Sequence, residues 1–226
     1  MSKTYSIAID GPAGAGKSTI ARRLAAELGY YYVDTGAIYR TVAYLLDLLG
    51  VSPKDVDGVE RYLDELTVEI EYDEDGKQHM IMNGMDVSDD IRTQDISQKA
   101  SLVSAHAVVR EVLLDMQRDV AKKHNVIMDG RDIGTVVLPK ANVKIFLTAD
   151  PEVRAKRRYD ELIAKGQKAN LAQILKEIQQ RDYQDMNRAI APLKQAKDAV
   201  KVDTSGLDIE GVVEAIKAIV KDKIGV

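Results

Sequence analysis

The 226-residue chain contains no cysteine. That absence excludes a disulfide framework, a thiolate metal site and a cysteine nucleophile together. No apolar run approaches the roughly 20 residues of a membrane-crossing helix. The opening residues Met1-Ser2-Lys3-Thr4-Tyr5 lead into a short strand pattern, without the apolar stretch and small-residue cleavage site of a secretory leader. Aromatics are few, ten tyrosines and one phenylalanine, and they lack the spacing with which RNA-binding sheets stack bases. A surplus of positive charge is also missing. Net charge is −4, where proteins that live on a phosphate polymer carry a basic face. His79, His106 and His124 show no metal-ligand spacing. What is there is ordinary for a folded chain: 45% hydrophobic and 30% charged residues. The expectation is a cytoplasmic, monomeric enzyme of small molecules, with neither nucleic acid nor membrane as partner.

Short apolar runs recur along the chain at Ser6–Ile9, Tyr30–Val33, Val126–Met128, Val143–Leu147 and Ala199–Val202. Helical sequence separates them, which predicts a five-stranded parallel sheet covered on both faces. Lys17–Leu28 is predicted helical, with Ile20, Leu24 and Leu28 four apart and Gly29 as the stop. Leu102, Ala105, Val109, Val112, Leu113, Met116 and Val120 form one apolar stripe, and Ile209, Val212, Val213, Ile216, Ile219 and Val220 another. Asp150 before Pro151 reads as a helix start with a capping side chain.

Two stretches break the rhythm. After the capping pattern Ser52-Pro53-Lys54-Asp55, Val68, Ile70 and Tyr72 alternate with acidic residues, Asp75-Gly76 turns, and Met80 and Met82 alternate again before Asn83-Gly84. This predicts an antiparallel meander over roughly 66–88, with Met80, Met82 and Met85 on its inner face. The second, 151–192, is charged and helical with a turn near Gly166.

Gly11-Pro12-Ala13-Gly14-Ala15-Gly16-Lys17-Ser18 fits G-x-x-x-x-G-K-[ST] between a predicted strand and a predicted helix. Glycines let backbone N–H groups curl toward phosphate oxygens, and the helix N-terminus adds partial positive charge. Lys17 is placed to reach the β and γ phosphates as an exposed ammonium, and the Ser18 hydroxyl to ligate Mg²⁺. Gly11 to Ser18 and Thr19 are therefore the candidate ATP-binding residues. The loop alone does not distinguish a metabolite kinase, a nucleotide kinase and a nucleotide-binding switch.

Asp34-Thr35-Gly36-Ala37-Ile38-Tyr39-Arg40 and Asp129-Gly130-Arg131-Asp132-Ile133-Gly134 follow predicted strands, where open α/β sheets bind ligands. Farther on, the stripe Leu171, Ile174, Leu175, Ile178 continues at the same spacing into Arg181, Asp182, Asp185 and Arg188. A helix face that changes from apolar to charged faces something polar. Arg154, Arg157 and Arg158 share a face by the three-and-four rule and predict an arginine-rich lid.

These residues, with Ile91-Arg92-Thr93, Thr135-Val136-Val137, Lys144-Ile145-Phe146-Leu147, Ala191 and Pro192, carry a resemblance to the bacterial cytidylate kinases from end to end. The resemblance implies an α/β P-loop three-layer fold with a five-stranded parallel sheet, a small antiparallel β insert in the monophosphate-binding region and a helical lid. It implies one kinase domain over 1–226: a core of 1–35, 96–150 and 193–226, a monophosphate-binding region over 36–95, and the lid with its following helix over 151–192. It implies phosphoryl transfer from ATP·Mg²⁺ to CMP or dCMP, with UMP a poorer acceptor. By resemblance Ser101, Arg110 and Asp132 recognise cytosine, Arg181 and Asp185 the pentose, and Arg40, Arg131 and Arg188 the acceptor phosphate, with Thr35 beside them. Lys17, Arg131, Arg154, Arg157, Arg158 and Arg188 are the implied catalytic cations. The rival readings are a kinase of a hydroxyl-bearing metabolite, with Asp34 or Asp132 as base, and a non-catalytic switch.

Overall fold

Strand β1 (Ser6–Asp10) is buried from Ile7 onward, so neither of its faces meets water. The same holds for β6 (Val126–Gly130), and β7 (Val143–Thr148) is nearly as covered. Strands so continuously apolar require cover on both faces. The structure, a computed structural model, describes residues 4–226. Met1-Ser2-Lys3, which opened the leader-free reading, lie outside the described residues. With β2 (Tyr31–Asp34) and β8 (Val200–Asp203) the sheet order is β2-β6-β1-β7-β8. β1 runs parallel to β7 with Ile7 beside Val143, and β7 parallel to β8 with Ile145 beside Val200. The expected five-stranded parallel sheet is present; its second strand begins at Tyr31 rather than Tyr30 and includes Asp34.

The chain divides into two units, one of Tyr31–Val126 with Thr4, the other of Tyr5–Tyr30 and Ile127–Val226. The second contains α1 (Lys17–Leu28), which buries Ile20, Ala21, Leu24 and Ala25. It also contains α8 (Ile209–Ile224), which buries Val212, Val213, Ile216 and Val220, while Ile209 at its start is exposed. Between them lies a hairpin of α6 (Pro151–Ala164) and α7 (Leu171–Asn187). It closes on Ala155, Ile174 and Ile178, with Tyr159, Leu162 and Leu175 packed alongside. Pro151 occupies the first turn of α6 as expected, but the Asp150 side chain makes no capping bond.

The first unit contains α2 (Thr35–Leu48), capped by Asp34 accepting from Ala37 N–H at 2.9 Å, and α3 (Val56–Leu63), capped by Asp55. The stripe from Leu102 to Val120 is not one helix. It is α4 (Gln94–Val103) and α5 (Ala107–Lys123). At the break Ala105 and His106 N–H bond back to Leu102 and Val103, and Arg110 donates to the Ser104 carbonyl at 3.2 Å. Apolar spacing continues across those residues, so periodicity alone could not register the break; Val112 lies off the buried face.

The predicted meander is β3 (Val68–Tyr72), β4 (Gln78–Met82) and β5 (Met85–Asp86), with Val68 opposite Met82 and Ile70 opposite Met80. Met80 and Met82 are buried, but Met85 is 60% exposed. It sits on a two-residue edge strand, too short to bring a covering layer with it. On the outer face His79 joins the meander's ends, with Nδ1 2.7 Å from Asp86 and Nε2 3.2 Å from Asp73. Asp86 and Asp73 hold the His79 proton affinity above its ordinary value.

A histidine whose folded value is raised stabilises fully below its unfolded value, about 6.5, and the benefit disappears as pH rises through the folded value. His79→Gln is therefore expected to lower the melting temperature at pH 6 and to leave it unchanged at pH 9. Thermal melts of both proteins at the two pH values check this. An equal difference at both would remove the imidazolium as the cause.

Candidate active site

β1 ends at Asp10 and the chain turns through Gly11–Gly16 into α1. At Gly11 φ is 153°, and an added Cβ would stand 1.9 Å from the Leu147 carbonyl oxygen, so the loop's close approach to β7 admits only glycine there. Gly16 precedes α1 without a side-chain cap, and the first turn carries no acidic residue. The amide N–H groups of that turn are thereby left for a ligand, in the arrangement that favours phosphate.

Lys17 is not the exposed ammonium expected from the sequence. It is 5% exposed, and its Nζ donates to the Pro12 carbonyl at 2.8 Å, across the loop. Burial, reinforced by Arg131 and Arg181 and opposed by Asp129, brings its pKa down to about 7. A phosphate placed in the loop would add negative charge beside this buried amine. Ser18 Oγ donates to Asp129 Oδ2 at 2.9 Å, and Thr19 is exposed on the outer side of α1. Among the described residues no group of three or more His, Cys, Asp or Glu could hold a metal alone. A hydroxyl beside one carboxylate is instead the partial oxygen set a hard divalent ion accepts when phosphates complete its shell.

Beyond β6, Arg131 and Asp132 lead into a tight wide-ring turn at Ile133–Val137. Asp10 fixes this turn: its two carboxylate oxygens accept the N–H groups of Ile133 and Gly134, each at 2.7 Å. Burial drives the Asp10 pKa up to about 6 against the pull of those two donors. The sequence marks Asp10 as the acid that ends the first apolar run and, in Asp10-Gly11-Pro12, as part of the resemblance to the cytidylate kinases; its hold on the Ile133–Val137 turn is visible only in the structure.

Arg131 Nε donates to Asp185 Oδ2 at 2.9 Å, and Arg188 Nη2 lies 3.2 Å from Asp132 Oδ1. Burial opposes charge on Arg131, yet Asp185 outweighs it and holds the guanidinium protonated; Asp185, although buried, is kept below its ordinary value mainly by Arg131 and Arg181. Asp182 and Asp185 are buried on α7 where Ile174 and Ile178 are, so the apolar face does pass into charge as the spacing predicted. The three expected lid arginines have separate fates. Arg154 is buried among protein partners, Arg157 donates to the Thr204 hydroxyl and carbonyl at 2.9 and 2.6 Å, and Arg158 pairs with Glu161 at the surface.

In the first unit, Thr35 is buried at the start of α2 and Arg40 pairs with Asp34 at 2.9 Å. Among the described residues the Arg40 Nε is buried with no hydrogen-bond partner. The Arg110 guanidinium lies over the Tyr39 ring, 5.4 Å from its centre, and Ser101 is half-buried on α4. Gln78 was missed. It is buried on the same β4 face as Met80 and Met82, and its Oε1 accepts the Asp34 N–H at 2.7 Å. An amide in register with two buried methionines was the signal.

A loop that offers backbone N–H groups, a buried lysine bonded to a carbonyl rather than a carboxylate and arginines gathered behind them suit transfer of a phosphoryl group between two anions. The fold and this centre define a P-loop phosphotransferase. The description "Cytidylate kinase" matches residues 7–222, and the chain belongs to that family. A cytidylate kinase of Bacillus cereus is 49% identical, covering 97% of each chain. One from Clostridium tetani is 47% identical over 96% of this chain and 94% of its own. Among solved structures, an uncharacterized protein from Eubacterium ventriosum matches with a TM-score of 0.52 and 13% identity, covering 96% of this chain and 99% of that one, a likeness of fold alone. Among the described residues no helix is long and apolar enough to cross a membrane.

Asp10→Ala would leave two buried N–H groups without an acceptor, expected to cost about 2–4 kcal/mol. Urea unfolding of wild type and variant measures it. An unchanged midpoint would mean that the Ile133–Val137 turn does not depend on Asp10.

Proposed function

We propose that this chain transfers the γ-phosphoryl group of ATP to CMP or dCMP, giving ADP and CDP or dCDP, with UMP a poorer acceptor. The observation that carries this reading is the set of cations gathered at the loop: Lys17 is buried against the Pro12 carbonyl, Arg131 and Arg188 are held beside it by Asp185 and Asp132, and burial followed by the Arg131 charge weakens the lysine's hold on its proton. A multiply charged anion is the ligand that such a group of like charges favours. A neutral hydroxyl acceptor would need no second arginine and would need a carboxylate free to take its proton. Asp132 is committed to Arg188 and Asp34 to Arg40, which disfavours that rival.

The acceptor phosphate is already anionic near neutral pH, so the reaction needs no general base. Catalysis rests on alignment and on neutralising charge as it shifts. Gly11–Ser18 hold the ATP phosphates by their N–H groups, Thr19 follows in the same turn, and Lys17 swings from Pro12 onto the β and γ oxygens. Mg²⁺ would be held by Ser18, with Asp129 behind it, and would neutralise phosphate charge. Arg131 and Arg188 hold the acceptor phosphate, and Arg40 and Thr35 are assigned to the same anion. Asp185 and Arg181 hold the pentose; Ser101, Arg110 and Asp132 read the base. Arg157 and Arg158, on the lid over 151–192, steady the transferred group. The enzyme acts as a cytoplasmic monomer.

A coupled assay of ADP release with CMP, dCMP, UMP and hydroxyl-bearing sugars tests the reaction. Turnover is expected with CMP and dCMP, slower turnover with UMP and none with sugars; a faster sugar overturns the reading. Lys17→Ala is expected to keep the fold, because it removes a buried amine rather than a packed pair, and to lower kcat by about 10²–10³. Wild-type kcat with unchanged melting would refute the loop's role.

Asp185→Asn keeps an oxygen for Arg131 and is expected to reduce kcat/KM for CMP by about ten- to hundredfold while sparing KM for ATP. Steady-state kinetics with each substrate varied separately measures this, and equal loss toward both substrates would argue for a general disturbance instead.

A further inference from the structure

Arg154 stands apart from the other lid arginines because it is buried and all three of its guanidinium nitrogens have protein partners. Its Nε donates to the Ala149 carbonyl at 2.8 Å and Nη1 to the Ala13 carbonyl at 2.9 Å, while Nη2 meets Asp182 Oδ2 at 2.7 Å. Ala149 directly follows β7, Ala13 is in the phosphate loop, and Asp182 is on α7 between Arg181 and Asp185. One side chain, 3% exposed, therefore ties the donor loop to the helix that carries two of the acceptor-side residues.

Stability does not account for the pair. A buried ion pair is commonly matched or bettered by apolar side chains of similar volume. This one is also incomplete: among the described residues Asp182 Oδ1 is buried with no hydrogen-bond partner, and Asp182 is only 8% exposed. An unsatisfied buried oxygen is a penalty. The helices already have an apolar contact, through Ala155, Ile174 and Ile178. That contact can hold α7 against α6 yet does little to fix its rotation. A directed bond to a loop carbonyl does.

We propose that the Arg154–Asp182 pair is a positioning element: it sets α7 relative to the phosphate loop so that Arg181 and Asp185 meet the acceptor nucleotide in line with the donor. Neither residue contacts the reacting atoms in this role. The proposal rests on the reading of Arg181 and Asp185 as acceptor ligands.

The test replaces both partners by apolar residues of similar volume, Arg154→Met with Asp182→Leu, and in parallel makes Asp182→Asn, which keeps an oxygen for Arg154. Melting temperature, binding of a non-hydrolysable ATP analogue, kcat and KM for CMP are measured for each. The double variant is expected to melt within a few degrees of wild type and bind the analogue within about threefold, while KM for CMP rises about tenfold. Asp182→Asn is expected to fall between the double variant and wild type, a partial rescue that a purely structural pair would not show in KM. A lowered melting temperature with normal KM for CMP overturns the proposal, and so does a kcat loss with KM intact, which would place Arg154 on the transferred group. If the double variant does not fold, an unchanged KM for CMP in Asp182→Asn still overturns it. Asp185→Asn run alongside separates the two readings. If it leaves CMP kinetics untouched, the acceptor assignment of α7 fails; if it raises KM and the pair variants do not, the link alone fails.

Discussion

Removing a cation from water is expensive, and the second unit does so repeatedly around one loop. Lys17 is buried and Arg131 largely so, and each feels other charges strongly enough to change its hold on a proton. What makes the arrangement tolerable is that carboxylates are buried with them, Asp185 on Arg131 and Asp132 on Arg188. The lysine's direct bond is to a carbonyl, not a carboxylate. The charge is thus least balanced at the glycine loop.

The rest of the second unit serves to hold these groups still. Carboxylates at strand ends and on one helix can pair with arginines only if loops and helix are fixed to within fractions of an ångström. Asp10 fixes one loop through two N–H groups, and Gly11 lets another lie against Leu147 where any side chain would collide. Burial of a carboxylate that accepts two amide bonds is the physical cost of that rigidity, and it shows in the raised proton affinity of Asp10. The first unit solves a similar problem with Gln78. A neutral amide, rather than a charge, reaches from the inner face of the meander to hold the Asp34 backbone, leaving the Asp34 carboxylate for the α2 cap and Arg40.

Much of this was legible in the chain because the local signals agree. Short apolar runs separated by helical stripes give a covered parallel sheet, and Asn83-Gly84 and Asp75-Gly76 between alternating segments give the meander. The glycine loop and the passage of a buried face from Ile178 into Asp182 and Asp185 are legible from pattern alone. Boundaries and exposures were less accessible. The break at Ser104–His106 interrupts a helix without interrupting its spacing, and Met85 alternates correctly yet lies on an edge with nothing over it.

By itself the sequence determined which residue types recur at which period, and so the fold class, the phosphate loop and the set of arginines and aspartates available to it. Pairing was decided only in three dimensions. Arg131 finds Asp185 across 54 positions, Ser18 finds Asp129 across 111, and Arg154 turns from a lid face to the loop at Ala13 across 141. A periodic pattern encodes which side of an element is buried, through neighbours three or four residues away. It carries no record of which distant charge will be buried against that side, because the match depends on where separate elements stop and on the few tenths of an ångström in which a hydrogen bond forms.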